Sequence, residues 1–194
     1  MKLSLSEVPA ADQGLLAPCG IICMGCDLFQ HESLAACKKV IEIWEGFNLP
    51  DVAPGFNMNS KNISAAIETM KLFVEIREKS GACPGCFKGG GPSKICSIAK
   101  CVKSKGYWTC AECEDFTSEV PNFCPHEDPS KRPIGSRNRA SVGISKRYNS
   151  NNIENLIRCR EIGYAAFIKE MKEKVKQGWR TWQVISREKL FTRQ

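Results

Sequence analysis

Twelve cysteines stand in a chain of 194 residues, and most of them fall in tight groups. Cys19, Cys23 and Cys26 form a C-x3-C-x2-C run. Cys83 and Cys86 form C-P-G-C, Cys96 and Cys101 form C-x4-C, and Cys110 and Cys113 form C-A-E-C, with Cys124 and then His126 beyond. Thiolates delivered in pairs from tight turns are what a chelating site requires, so these spacings predict metal knuckles. They constrain the fold as well. A structural zinc contributes an apparent ~10 to 16 kcal/mol, against a total domain stability of about 5 to 15 kcal/mol. Removal of metal is therefore expected to unfold at least residues 82–126, where little apolar sequence competes.

The same cysteines could instead form disulfides. That would suit a short secreted chain with too little core. This chain has 42% hydrophobic and 25% charged residues, no stretch approaching the ~18 to 20 apolar residues of a membrane span, and no apolar run of signal-peptide length at its start. A cytoplasmic location is expected, with no membrane partner, and thiols there stay reduced. Charge is unevenly divided. Residues 1–130 carry a net −4 and residues 131–194 a net +11, together the +7 of the whole chain. Thiolate–zinc centres would add negative charge to the first part, so the basic tail can neutralise the protein's own core.

The hydrophobic pattern predicts three longer helices. The first, 32–46, carries Leu34, Cys37, Ile41 and Trp44 at helical spacing, with Val40 and Phe47 widening the stripe. The second, 61–80, has Ser60 as its expected N-cap and Ile63, Ala66, Ile67, Met70, Phe73 and Val74 as its apolar face. The third, 153–176, is capped by Asn151 or Asn152, carries Leu156, Ile157, Tyr164, Phe167, Ile168 and Met171, and stops at Gly178. Residues 1–17 read as an irregular lead-in, 48–60 and 127–150 as loops, and 82–126 as turns with at most two small strands and one short helix near 97–103. The expectation is one domain over 1–194, of α+β class and mainly helical. Its three longer helices pack around a loop-rich, metal-stapled cysteine module at 82–126, and a basic helix and tail follow over 131–194.

Zinc favours four soft ligands. The candidate metal ligands are Cys19, Cys23, Cys26, Cys83, Cys86, Cys96, Cys101, Cys110, Cys113 and Cys124. One pairing joins 83/86 to 96/101, and a second joins 110/113 to Cys124 and His126. A cross-braced pairing of 83/86 with 110/113 fits the spacing equally well. The first run could complete a site with Cys124 or stand as an open three-thiolate site. Cys37 and Cys159 stand alone on helical stripes and read as small buried hydrophobes.

The ordered motifs resemble a bacterial and archaeal family of cysteine-rich proteins of unknown function. The matching pieces are Ala17-Pro18-Cys19-Gly20-Ile21-Ile22-Cys23-Met24-Gly25-Cys26, Cys83-Pro84-Gly85-Cys86, Cys96-Ser97-Ile98-Ala99-Lys100-Cys101, Lys105-Gly106, Cys110-Ala111-Glu112-Cys113-Glu114-Asp115-Phe116 and Arg160-Glu161-Ile162-Gly163-Tyr164. The resemblance implies zinc ligation by the aligned cysteines and no particular activity. That family usually has Pro-Cys directly after the Asp-Phe equivalent; here Cys124 lies eight residues past Phe116.

The function these features favour is a zinc-binding protein whose metal is mainly structural, without a defined catalytic residue. Two alternatives stand beside it. An iron–sulfur protein would use the same thiolates, and C-x3-C-x2-C is the spacing of radical S-adenosylmethionine enzymes, although no β-α alternation follows Cys26. A zinc-knuckle nucleic-acid module would use Tyr107, Trp108 and the basic residues of 131–147; packing of the two aromatics over the metal site is favoured over that role. Gly89-Gly90-Gly91-Pro92-Ser93-Lys94 lacks the phosphate-loop pattern and reads as a flexible loop. Glu112 and Glu114 flank Cys113, but all-sulfur zinc is a poor Lewis acid, which argues against a hydrolase.

Overall fold

The structure is a computed structural model that describes residues 5–114, 116, 144 and 147–187. Among these are seven α-helices, with short 3-10 turns among them: α1 Asp27–Gln30, α2 Glu32–Gly46, α3 Leu49–Val52, α4 Ser60–Ser80, α5 Ser97–Ser104, α6 Asn151–Ile162 and α7 Tyr164–Lys176. The expected mainly helical character is present, and the α+β part of the expectation reduces to almost no strand among the described residues. The described β pairing is a single antiparallel bridge between Leu16 and Ile22, which spans the start of the first cysteine run. The knuckles close as 3-10 turns at Cys23–Gly25, Cys86–Lys88 and Cys110–Glu112, which satisfy backbone groups locally and leave little to form a ladder.

The chain divides into two compact units, one of Gln30–Cys83 and the other of Met1–Phe29 with Pro84–Gln194. The Gln30–Cys83 unit is built on α2 packed against α4, with α3 also on α4. Leu34 and Ile67 are buried at its centre, and Cys37, Val40, Ile41, Trp44, Ile63, Met70, Phe73 and Val74 are half-buried around them. Phe47 lies outside the stripe, 72% exposed. The N-cap of α4 is Asn59, one residue before the expected Ser60; its side chain accepts from Lys61 N at 3.0 Å and Asn62 N at 3.2 Å. The segment expected as a loop over 48–60 contains α3 and a 3-10 turn at Ala53–Phe56. Pro50 does not break α3 because it occupies the first turn, where a missing N–H costs nothing.

The other unit has the larger core, with Leu16, Ile22, Leu156, Cys159, Phe167 and Met171 almost fully buried. The lead-in is irregular as expected, yet Val8, Leu15, Leu16 and Ala17 are core residues. The expected helix 153–176 is two helices. Gly163, at φ 81° and ψ 163°, turns the chain between α6 and α7, so that both lay apolar faces on the same cluster. Ser150 rather than an asparagine precedes α6, and the short helix expected near 97–103 is α5. Arg160 on α6 donates to the carbonyls of Cys113 at 2.7 Å, Ala111 at 2.8 Å and Phe116 at 2.8 Å, and so fastens the last knuckle to the helical core.

Cys159 is 0% exposed, the buried position expected for a lone helical cysteine. Burial first, and the Glu112 carboxylate second, push its thiol from 9.0 up to about 12. The group stays neutral in the fold while the unfolded chain ionises it, so its stabilising contribution is full below 9.0 and fades as pH climbs toward 12. Urea unfolding across that window should show falling stability with rising pH, and Cys159→Ala should flatten the decline. An unchanged slope in the variant would show that this thiol is not the titrating group. In the Gln30–Cys83 unit, Asn59→Ala should cost about 1 kcal/mol through loss of the α4 cap, measured by urea unfolding of the full chain.

Candidate metal centre

The first cysteine run is a tight reverse turn. Ala17 N donates to Ile21 O at 2.8 Å, Gly20 N to Ala17 O at 2.9 Å, and Cys23 N to Leu15 O at 2.8 Å. Gly20 sits at φ +90°, and a Cβ there would lie 2.0 Å from the carbonyl oxygen of Asn152, so no side chain fits. The turn is held from outside. Asn152 Nδ2 donates to Cys19 O at 3.1 Å, Asn155 Nδ2 to Gly20 O at 2.9 Å, and Thr181 Oγ1 to Ile22 O at 2.8 Å. Three carbonyls of the knuckle are thus satisfied by side chains more than a hundred residues away in sequence.

The Cys86 turn is shaped by Gly85, at φ +89°, where a Cβ would meet Gly14 O at 2.4 Å. Gly90 N returns to Gly85 O at 2.9 Å, and Cys96 N bonds Pro92 O at 2.9 Å just ahead of α5. The Cys110 turn is tied to the first run through Cys110 N and Pro18 O, 2.9 Å apart.

These turns bring thiols together. Cys19 and Cys23, each 8% exposed, form a small buried cluster with Ala17, Ile98 and Val102, and Cys86, Cys96 and Cys110 pack against it. The thiols sense one another. Burial first, with neighbouring Cys86 and Cys96 adding to it, pushes Cys19 up to about 12. The hydrogen bond with Cys86 and then burial raise Cys23, and the same bond lowers Cys86 to about 7. Charge on one sulfur is therefore opposed at the next, the condition a soft divalent cation would reverse. As they stand, no three His, Cys, Asp or Glu side chains among the described residues are arranged to hold one metal ion. The donors fit such an ion in chemistry, as soft thiols, and not in their present arrangement.

The other sequence candidates are not members of this cluster's buried core. Cys26 follows the Cys23–Gly25 turn and, like Cys19, is among the groups that raise the Tyr148 hydroxyl, for which burial is the largest cause. Cys101 is half-buried on α5, and Cys83 belongs to the other unit. Cys113 packs in the larger core with Lys105 Nζ 3.2 Å from its sulfur. Cys124 and His126 lie outside the described residues, as do Lys131, Arg132, Arg137, Arg139 and Lys146; Arg147 is described. None of the eleven described cysteines forms a disulfide.

Glu112 is accounted for by the fold. Its Oε1 accepts from Trp108 N at 2.6 Å, Thr109 N at 3.1 Å and the Tyr164 hydroxyl at 3.1 Å, closing a capping box on its turn. Trp108 is buried to 2% exposure between Phe87 and Tyr164, ring centroids 4.9 and 5.1 Å away, so its ring faces protein. Asn152, Asn155 and Thr181 carry no sequence motif for these roles, and Arg160 stands in a matched family segment that does not name its role.

The fold and site together define a mainly helical, cysteine-rich protein with a buried thiol cluster. The family model described as "Protein of unknown function (DUF3795)" matches residues 15–120, and the chain belongs to that family. No curated protein and no solved structure matches the chain.

Gly20→Ala should destabilise the fold on the order of 3 kcal/mol, because a strained φ and a backbone clash coincide. Thermal unfolding of the full chain checks this. A change under about 0.5 kcal/mol, the size of an ordinary surface substitution, would mean that the turn is not clamped as described.

Proposed function

We propose that the protein binds zinc through Cys19, Cys23, Cys86 and Cys96, and that this metal is structural, with the remaining motif cysteines available to a second centre. The observation that carries the reading is the meeting of these thiols, contributed by three separate turns, in one buried cluster. Four soft donors suit tetrahedral zinc. The surroundings are apolar, and all-sulfur ligation leaves no open position for a reacting water, so the centre supplies cross-linking rather than catalysis. Two of its turns have little to hold them besides short-range hydrogen bonds, and a metal joining residue 19 to residue 96 would hold what packing does not.

The reading extends to the other candidates by chemistry. Cys110 adjoins the cluster and Cys113 lies in the next turn position, so Cys26, Cys83, Cys101, Cys110, Cys113 and Cys124 are the pool for any second zinc. No helix among the described residues is long and apolar enough to cross a membrane, and the zinc reading needs no membrane partner.

Elemental analysis of anaerobically purified protein, with an absorption spectrum of the same sample, tests the proposal. Expected are at least about one zinc per chain for a four-thiolate site, no visible band, and loss of that equivalent together with a lowered melting temperature in Cys19→Ser and Cys96→Ser. Iron with acid-labile sulfide, or protein that folds equally well without metal, would overturn it.

A further inference from the structure

Beside the thiol cluster opens a cavity of about 660 Å³, within the size range of small-molecule sites. Its character is unlike that of the cluster. Lys88, Lys94, Lys100 and Lys103 all line it, and no aspartate or glutamate does so among the described residues. Lys88 Nζ also donates to Ala10 O at 3.2 Å; Lys94, Lys100 and Lys103 take part in none of the ion pairs of the described residues. Four ammonium groups around one concavity repel one another and concentrate counter-anions there.

Two further features indicate what the anion carries. Phe87, 41% exposed and backed by Trp108, lines the cavity together with Tyr107, giving an aromatic wall beside the charges. Ser93 also lines it, and its hydroxyl is buried without a hydrogen-bond partner, a polar group that an incoming ligand could satisfy.

The lysines are not explained as neutralisers of the thiols. On α5, Ile98 and Val102 are buried in the thiol cluster. Lys100 and Lys103, three residues apart, share the opposite side of that helix. Their charge is presented to the cavity, whose lining also includes Cys86 at its edge with the thiol cluster.

We propose that this cavity binds a nucleoside phosphate, with Lys94, Lys100 and Lys103 on the phosphate groups, Ser93 donating a hydrogen bond and Phe87 with Tyr107 against the base. Lysines act here as point charges on phosphate oxygens, and aromatic faces stack on any base. Cys86, one of the proposed zinc ligands, also lines the cavity, so the site adjoins the thiol cluster; its test reads ligand binding and does not depend on the metal reading.

Calorimetric titration of the full chain, as purified and at low salt, with adenosine diphosphate, inorganic pyrophosphate, adenosine and a single-stranded oligouridine decides the matter. Adenosine diphosphate is expected to bind saturably at one site, more tightly than pyrophosphate or adenosine. The double variant Lys100→Gln/Lys103→Gln is expected to weaken it by roughly tenfold or more, with melting temperature and metal content unchanged. Absence of saturable binding, equal affinity in the double variant, or loss of metal or thermal stability in that variant would overturn the proposal. Tighter binding of the oligouridine than of the diphosphate would overturn it in favour of a nucleic-acid surface. Failure of this binding leaves zinc content untouched, so the two readings fail separately.

Discussion

Asn152 and Asn155 on one helix turn and Thr181 beyond the next helix donate to three carbonyls of a single knuckle, Cys19, Gly20 and Ile22. The rest of the larger unit depends on that clamp. Buried backbone carbonyls without partners are costly, and a turn tight enough to present Cys19 and Cys23 on one side cannot satisfy them within itself. Gly20 lets the helix backbone come into van der Waals contact, where even a methyl group would collide with Asn152 O. The knuckle is therefore fixed by the C-terminal helices before any ion is considered, and the Cys110 turn is fixed relative to it. Cys110 is tied to Pro18, and Arg160 gathers three carbonyls of the Cys110–Phe116 segment.

This arrangement separates two kinds of charge. On one side of α5 lie thiols whose ionisation is opposed by burial and by each other. On its other side lie lysines with no carboxylate, among the described residues, lining the cavity they share. A cation suits the first environment and an anion the second. Both requirements follow from placing polar and charged groups where water alone does not balance them.

The helices were legible where apolar spacing was unbroken. Leu34, Cys37, Ile41 and Trp44 mark α2 within its true limits. The pattern failed where backbone conformation, not side-chain periodicity, decided the outcome. The stripe from Leu156 to Met171 runs through Gly163 without interruption, yet its φ and ψ end one helix and start another. Residues 48–60 read as a loop, yet Pro50 stands in the first turn of α3. The cysteine spacings identified turns able to present thiols, and three of those turns are present. Which thiols meet was not legible. Cys19 and Cys23 meet Cys86 and Cys96, a grouping set by the asparagine clamp, the Pro18–Cys110 bond and the packing of Ile98 and Val102, contacts that cysteine spacing does not encode. The Gly89–Lys94 segment was read as a bare loop. Its link to the lysines of α5 and to Phe87 appears only in three dimensions.

X-ray absorption at the zinc edge on protein carrying about one equivalent of zinc tests the four-thiol assignment most directly. The account predicts a shell of four sulfurs at ~2.3 Å in the native chain, and one sulfur replaced by a lighter atom in Cys96→Ser. A nitrogen- or oxygen-rich native shell would contradict it, as would a four-sulfur shell unchanged by that substitution.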